Sequence, residues 1–171
     1  MYAVLYLMLH GIIWFSLSRY QSRLVAQWSA AGMVSATGLA LLGAQGVLPE
    51  WLVACVGQTL MAVGNFARQH VLRSTDGPAG QRWIAWNGSL HLIYLSFNGW
   101  LFFSGASHRS MMLVFFLFYA LICVDFFFSG RAMGQRRQTS GAKAIQLGGL
   151  VFSISLGIKA ATLLAGWGAQ G

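Results

Sequence analysis

Of 171 residues only 8 % are charged while 57 % are hydrophobic, far from a soluble globular domain, where about 25 % carry charge. A formal charge of +8 would point a soluble protein toward nucleic acid, but no RGG tract, zinc-finger spacing or basic helix with interleaved aromatics accompanies it. The basic excess is read instead as orientation in a bilayer and attraction to anionic headgroups, so nucleic acid is not an expected partner.

Six apolar stretches cover residues 1–18, 25–45, 50–68, 83–104, 110–129 and 144–166. Each holds roughly 18–23 residues, enough at about 1.5 Å per residue to cross about 30 Å of hydrocarbon. The predicted fold is all-α: one integral-membrane domain over 1–171, a polytopic bundle of six transmembrane helices.

Residues 1–18 lack a basic leading region and an A-x-A cleavage site, so they are expected to be a retained helix and not a signal peptide. The 25–45 stretch has the interfacial Trp28 near its start and places Gly32, Ala36, Ala40 and Ala44 at four-residue spacing. Ser35, Gly38 and Gly43 add a second small face. Small residues let backbones approach closely where lipid offers no hydrophobic drive, which predicts a central helix touching two neighbours, or alternatively a dimerisation seam. Pro49 sits in the first turn of the third stretch, where its missing N–H costs nothing. Glu50 suits the positive end of that helix dipole, and Trp51 marks an interface. Asp76-Gly77-Pro78 signals a turn. The 110–129 stretch, rich in Phe115, Phe116, Phe118, Phe126, Phe127 and Phe128, reads as a lipid-facing helix. Residues 131–143 read as a flexible polar loop, and 166–171 are too short for another domain.

Nine basic residues follow the odd-numbered stretches: Arg19, Arg23, Arg68, Arg73, Arg82, Arg131, Arg136, Arg137 and Lys143. The opposite side holds Arg109 alone, beside His108. Basic loops stay in the cytoplasm, so both termini are predicted to lie outside a bacterial inner membrane. Cys55 and Cys123 fall in different stretches without a CxxC pair, so no disulfide is expected. The chain carries three carboxylates and no P-loop, G-x-S-x-G, H-E-x-x-H or Rossmann fingerprint, so it is not expected to be an enzyme.

Polar groups inside lipid are costly and therefore point to sites. Asn87, His91, Tyr94 and Asn98 fall at i, i+4, i+7 and i+11, one helix face. Gln58, Asn65 and Arg68 do the same in the third stretch. These faces should point inward, either as interhelical glue or as a ligand pocket. Lys159, with Ser155 and Thr162 on its face, either snorkels to the headgroups or attracts an anionic or carbonyl-bearing ligand. The ligand-binding set is thus Gln58, Asn65, Asn87, His91, Tyr94, Asn98 and Lys159. Asp125 is expected to form a structural ion pair with Arg68. His10 and His91 near mid-membrane would suit a bis-His haem, but with no second pair no cofactor or metal is expected.

The run W-S-A-A-G-M-V-S-A-T-G-L-A-L-L-G-A-Q-G-V-L-P-E-W-L-V from Trp28, then G-Q-T-L-M-A-V-G-N-F-A-R-Q-H-V-L-R-S-T-D-G to Gly77, resembles a known family. It is similar to the multi-pass N-terminal sensor region of proteobacterial GGDEF diguanylate cyclases. Trp28 opens the small-residue helix; Gly46, Leu48, Pro49, Trp51 and Leu52 match the turn; Arg73 and Gly77 fit the basic end. Arg109, the run S-G-A-K-A-I-Q-L-G-G-L-V-F from Ser140, and Lys159 beyond it are also similar. The resemblance implies a module that senses a signal and passes it to a cytoplasmic output domain. No GGDEF or EAL motif is present, so cyclase activity is not carried over; the chain reads as a module cut before its last helix or as a stand-alone relative.

The leading expectation is a membrane sensory module responding to a small molecule or a membrane property, with a homodimer or a cytoplasmic signalling protein as partner. A small transporter or channel with a midplane polar site, built as an inverted repeat, is the second reading. An accessory membrane subunit is the third.

Overall fold

The computed structural model describes residues 8, 12, 15, 23–75, 79–137 and 140–168. Among them every regular element is helical: α1 (Arg23–Gly43), a π-helical turn (Leu52–Gly57), α2 (Gln58–Arg73), α3 (Gln81–Phe103), α4 (His108–Arg137) and α5 (Ser140–Gly168). The chain divides into two compact units, Met1–Phe102 and Phe103–Gly171.

In the first unit α1 lies against α2 backbone to backbone. It buries Ser29, Ala31, Gly32, Ser35, Ala36 and Gly38; of the small faces predicted from the sequence, Gly32, Ser35, Ala36 and Gly38 are thus buried, while Ala40 and Ala44 are half-buried and Gly43 is exposed. A Cβ added to Gly38 would stand 2.6 Å from the Gly57 carbonyl oxygen and 2.7 Å from the Met61 nitrogen; one on Gly64 would stand 2.7 Å from the Ala31 carbonyl oxygen. Such proximity is available only to glycine, and it lets the two helices gain van der Waals contact along their main chains. The reversal between them uses Gly46 at φ +87°, with Val47 and Leu48 both donating to the Ala44 carbonyl at 3.1 Å. Pro49 then opens the next helix: its carbonyl accepts from Leu52 and Val53 at 3.0 and 3.2 Å, and its missing donor leaves nothing unpaired.

The second unit is a helical pair. A Cβ on Gly130 would meet the Gln146 nitrogen at 2.6 Å, and one on Gly149 the Phe127 nitrogen at 2.6 Å. Gly105 at φ +70° turns the chain ahead of α4. Ser107 caps that helix, its Oγ accepting from the Ser110 N–H at 3.2 Å. Arg109 of α4 reaches the far end of α5, donating through Nη2 to the Leu163 carbonyl at 2.5 Å.

Among the described residues, three helices are long and apolar enough to cross a membrane, over Arg23–Gly43, His108–Gln135 and Ala142–Gly166. The expected spans at 50–68 and 83–104 are helical too, but α2 carries Gln58, Asn65, Arg68, Gln69, His70 and Arg73 in 16 residues. α3 is long enough at 23 residues but is diluted by Gln81, Arg82, Asn87, His91 and Asn98. Of the 1–18 stretch only Met8, Ile12 and Phe15 are described, and Asp76-Gly77-Pro78 lies outside the described residues.

Two expectations are corrected. The polar loop placed at 131–143 is helical over most of its length, because α4 runs on to Arg137 and α5 begins at Ser140. Arg131, Ala132, Met133, Gln135, Arg136 and Arg137 are all good helix formers, and the about 1 kcal/mol that Gly134 costs does not stop the helix. Nor is α4 simply a lipid-facing helix: Phe118, Tyr119 and Ile122 are buried, while Leu117, Leu121 and Phe128 are exposed.

Candidate functional site

α3 is polar inside and apolar outside. Asn87, His91, Tyr94 and Asn98 are all buried, as their spacing predicted. The outer face carries Trp86, Ile93 and Trp100 at 74, 66 and 62 % exposure. A helix on the surface of a soluble protein has the reverse arrangement. The buried stripe packs toward the π-helical turn and the first half of α2.

The turn Leu52–Gly57 is the unusual element. Its wider winding takes backbone groups out of the regular ladder, and such turns are frequent at functional sites. Two carbonyls there receive side-chain donors. The Ala54 oxygen accepts from Asn98 Nδ2 at 3.3 Å, and the Cys55 oxygen accepts from Thr59 Oγ1 at 2.7 Å. Just beyond, the buried Gln58 accepts a short hydrogen bond from the Tyr94 hydroxyl through its Oε1. Asn98 and Tyr94 thus tie α3 to the π turn and to the residue that ends it.

Below this clasp, His91 bonds through Nδ1 to the Asn87 carbonyl at 2.9 Å. A carbonyl can only accept, so Nδ1 carries the proton and, in the neutral ring, Nε2 is an acceptor. The His91 ring meets the edge of Phe66 at 5.5 Å, and Phe66 stacks on Trp83 at 6.2 Å with planes 7° apart. Arg73 lies over Trp83 at 5.5 Å and Arg68 over Trp28 at 4.7 Å, so cations and aromatic faces close the α2 end of the seam. The Oδ1 atoms of Asn87 and Asn98 are buried without a hydrogen-bond partner among the described residues. They are acceptors held ready in an uncharged strip.

Of the predicted ligand set, the structure brings Gln58, Tyr94 and Asn98 together and aligns Asn87 and His91 beneath them. Asn65 turns back on its own helix, donating to the Met61 carbonyl at 2.9 Å. Lys159 belongs to the second unit, exposed on α5 with its Nζ 5.6 Å from the Phe116 ring centroid. Arg68 belongs to the first unit and Asp125 to the second, each half-buried. His10 lies outside the described residues, and among those described no group of three or more His, Cys, Asp or Glu side chains gathers.

Sequence reasoning missed the π turn, the Thr59–Cys55 bond and the Phe66–Trp83 stack. The segment L-V-A-C-V-G carries no local mark of wide winding. The stack was within reach, since Phe66 and Trp83 border the loop between two predicted helices. No family model matches this chain, and no curated protein and no solved structure matches it.

Proposed function

We propose that the chain is a membrane-embedded sensory module, multi-pass in a bacterial inner membrane, whose α3 moves against α2 and the π turn in response to a small ligand or a membrane property. The reading keeps six crossings with both termini outside. α3, too polar to be recognised as a span by composition, is supported as one by its inverted faces: indole and aliphatic groups outward, amides and imidazole inward.

The observation that carries the sensory role is the clasp of Asn98 and Tyr94 on the π turn. A polar contact between membrane helices contributes about 0.6 kcal/mol on average. Two such bonds therefore hold the seam by roughly 1 kcal/mol, and a signal with modest preference for one packing is enough to shift it. The resemblance to cyclase sensor regions supports a cytoplasmic readout.

The test is to express wild type and the Tyr94→Phe/Asn98→Ala variant at matched membrane levels and measure cellular cyclic di-GMP. A change between the two is expected. Identical output, together with a solute flux in proteoliposomes that depends on these side chains, would replace this reading with a transporter.

A further inference from the structure

Along the outer face of α5, Ser155, Lys159 and Thr162 stand at i, i+4 and i+7, all exposed, among the exposed Phe152, Ile154, Ile158 and Leu164. The helix is one of those apolar enough to cross a membrane over Ala142–Gly166. Lys159 is seven residues from the end of that segment, roughly 10 Å at about 1.5 Å per residue, further than a lysine stem bridges by reaching about one turn toward the headgroups. Its ammonium instead sits 5.6 Å from the Phe116 ring centroid, over an aromatic side chain of α4. The neighbouring Thr162 hydroxyl is directed to the Lys159 carbonyl at 2.8 Å.

From this placement we infer that the Ser155–Lys159–Thr162 face docks a transmembrane helix of another protein carrying an Asp or Glu at the depth of Lys159. The inference rests on the bilayer placement proposed above. A charge of this kind in hydrocarbon is retained where an opposite charge meets it. A second copy of this chain fits poorly. Two-fold pairing on this face, about an axis along the membrane normal, sets Lys159 against Lys159. Within the unit, the Cys123–Phe127 segment faces Gly149, which puts Asp125 about ten residues from Lys159 along α5, roughly 15 Å away in depth. Glu50 opens a helix at an exposed turn and not within a span.

The experiment places the purified full chain, labelled with a donor dye, in phosphatidylcholine vesicles. It is paired with acceptor-labelled Leu/Ala model helices that carry a single Asp at the Lys159 depth, Asn at that position, or Asp two turns away. The Asp helix at matching depth is expected to associate at least fivefold more tightly than the other two, and Lys159→Met should abolish the difference without changing the melting temperature. Equal association of all three helices, or a preference that survives Lys159→Met, overturns the inference. Efficient self-crosslinking of Ser155→Cys and Thr162→Cys chains would also overturn it, by giving the face to a second copy. Resistance of the same vesicles to carbonate extraction is scored in parallel, so that failure of docking is told apart from failure of bilayer placement.

Discussion

The side-chain amide of Asn98 donates to the main-chain oxygen of Ala54 at 3.3 Å, so a residue of α3 satisfies a carbonyl of the π turn 44 positions earlier. Wide winding and polar stripe therefore belong to one device. Asn98→Ala leaves the half-buried Ala54 oxygen without this donor, and a loss of about 0.6 kcal/mol is expected in detergent melting. Asn98→Leu removes the same donor and the same buried Oδ1 but fills the space, so it should lose less than Asn98→Ala.

Tyr94 and Asn98 act on adjacent points of the same helix. In a double-mutant cycle, Tyr94→Phe and Asn98→Ala should each cost about 0.6 kcal/mol, reaching at most about 1.7. Their combined cost should differ from the sum by 0.5 kcal/mol or more, roughly the scale of contacts sharing one network. Strict additivity in chemical unfolding would mean that the two bonds hold independent sites.

Neighbouring glycines of α5 should behave oppositely. A Cβ at Gly149 meets the Phe127 nitrogen at 2.6 Å and the Cys123 carbonyl oxygen at 2.7 Å, whereas one at Gly148 meets nothing within 4 Å. Gly149→Ala is expected to destabilise by roughly 1–3 kcal/mol through forced separation of α4 and α5. Gly148→Ala should be neutral or stabilising by up to about 1 kcal/mol. Thermal melting of the two purified variants separates the outcomes.

The stripe on α3 was legible in the sequence because its positions, 87, 91, 94 and 98, follow helical period, and amides cannot face lipid cheaply. The tight approach of α1 was legible for the same kind of reason: Gly32, Ser35, Ala36 and Gly38 are too small to separate two backbones. Less was readable where several windings suit the same residues, as at Leu52–Gly57, or where rotamers decide. Asn65 has the right spacing to join the seam, yet it bonds the carbonyl one turn behind it. The close approach of α4 and α5 at Gly130 and at Gly149 escaped because α4 announces itself by phenylalanine, and its two glycines, Gly130 and Gly134, come only near its end.

Orientation is tested by fusions at the C-terminus. On the proposed six crossings with cytoplasmic basic loops, an alkaline-phosphatase fusion is expected to be active and a fluorescent-protein fusion dark. The reverse pair of results would change the number of crossings from even to odd, or turn the bundle over.

Arg109→Gln should leave α5 less ordered at its end, since it removes a charge-assisted bond of about 1.5 kcal/mol to the Leu163 carbonyl. Faster amide exchange over residues 164–168, with residues 145–155 unchanged, is the expected signature.

That same arginine fixes what kind of motion the second unit can make. α4 and α5 are joined by the short connection between Arg137 and Ser140 at one extremity and by Arg109 at the other. Fastened at both extremities, with glycine-lined backbones pressed together between them, the pair cannot open like scissors. A displacement applied to either helix is carried by both, as by a strut.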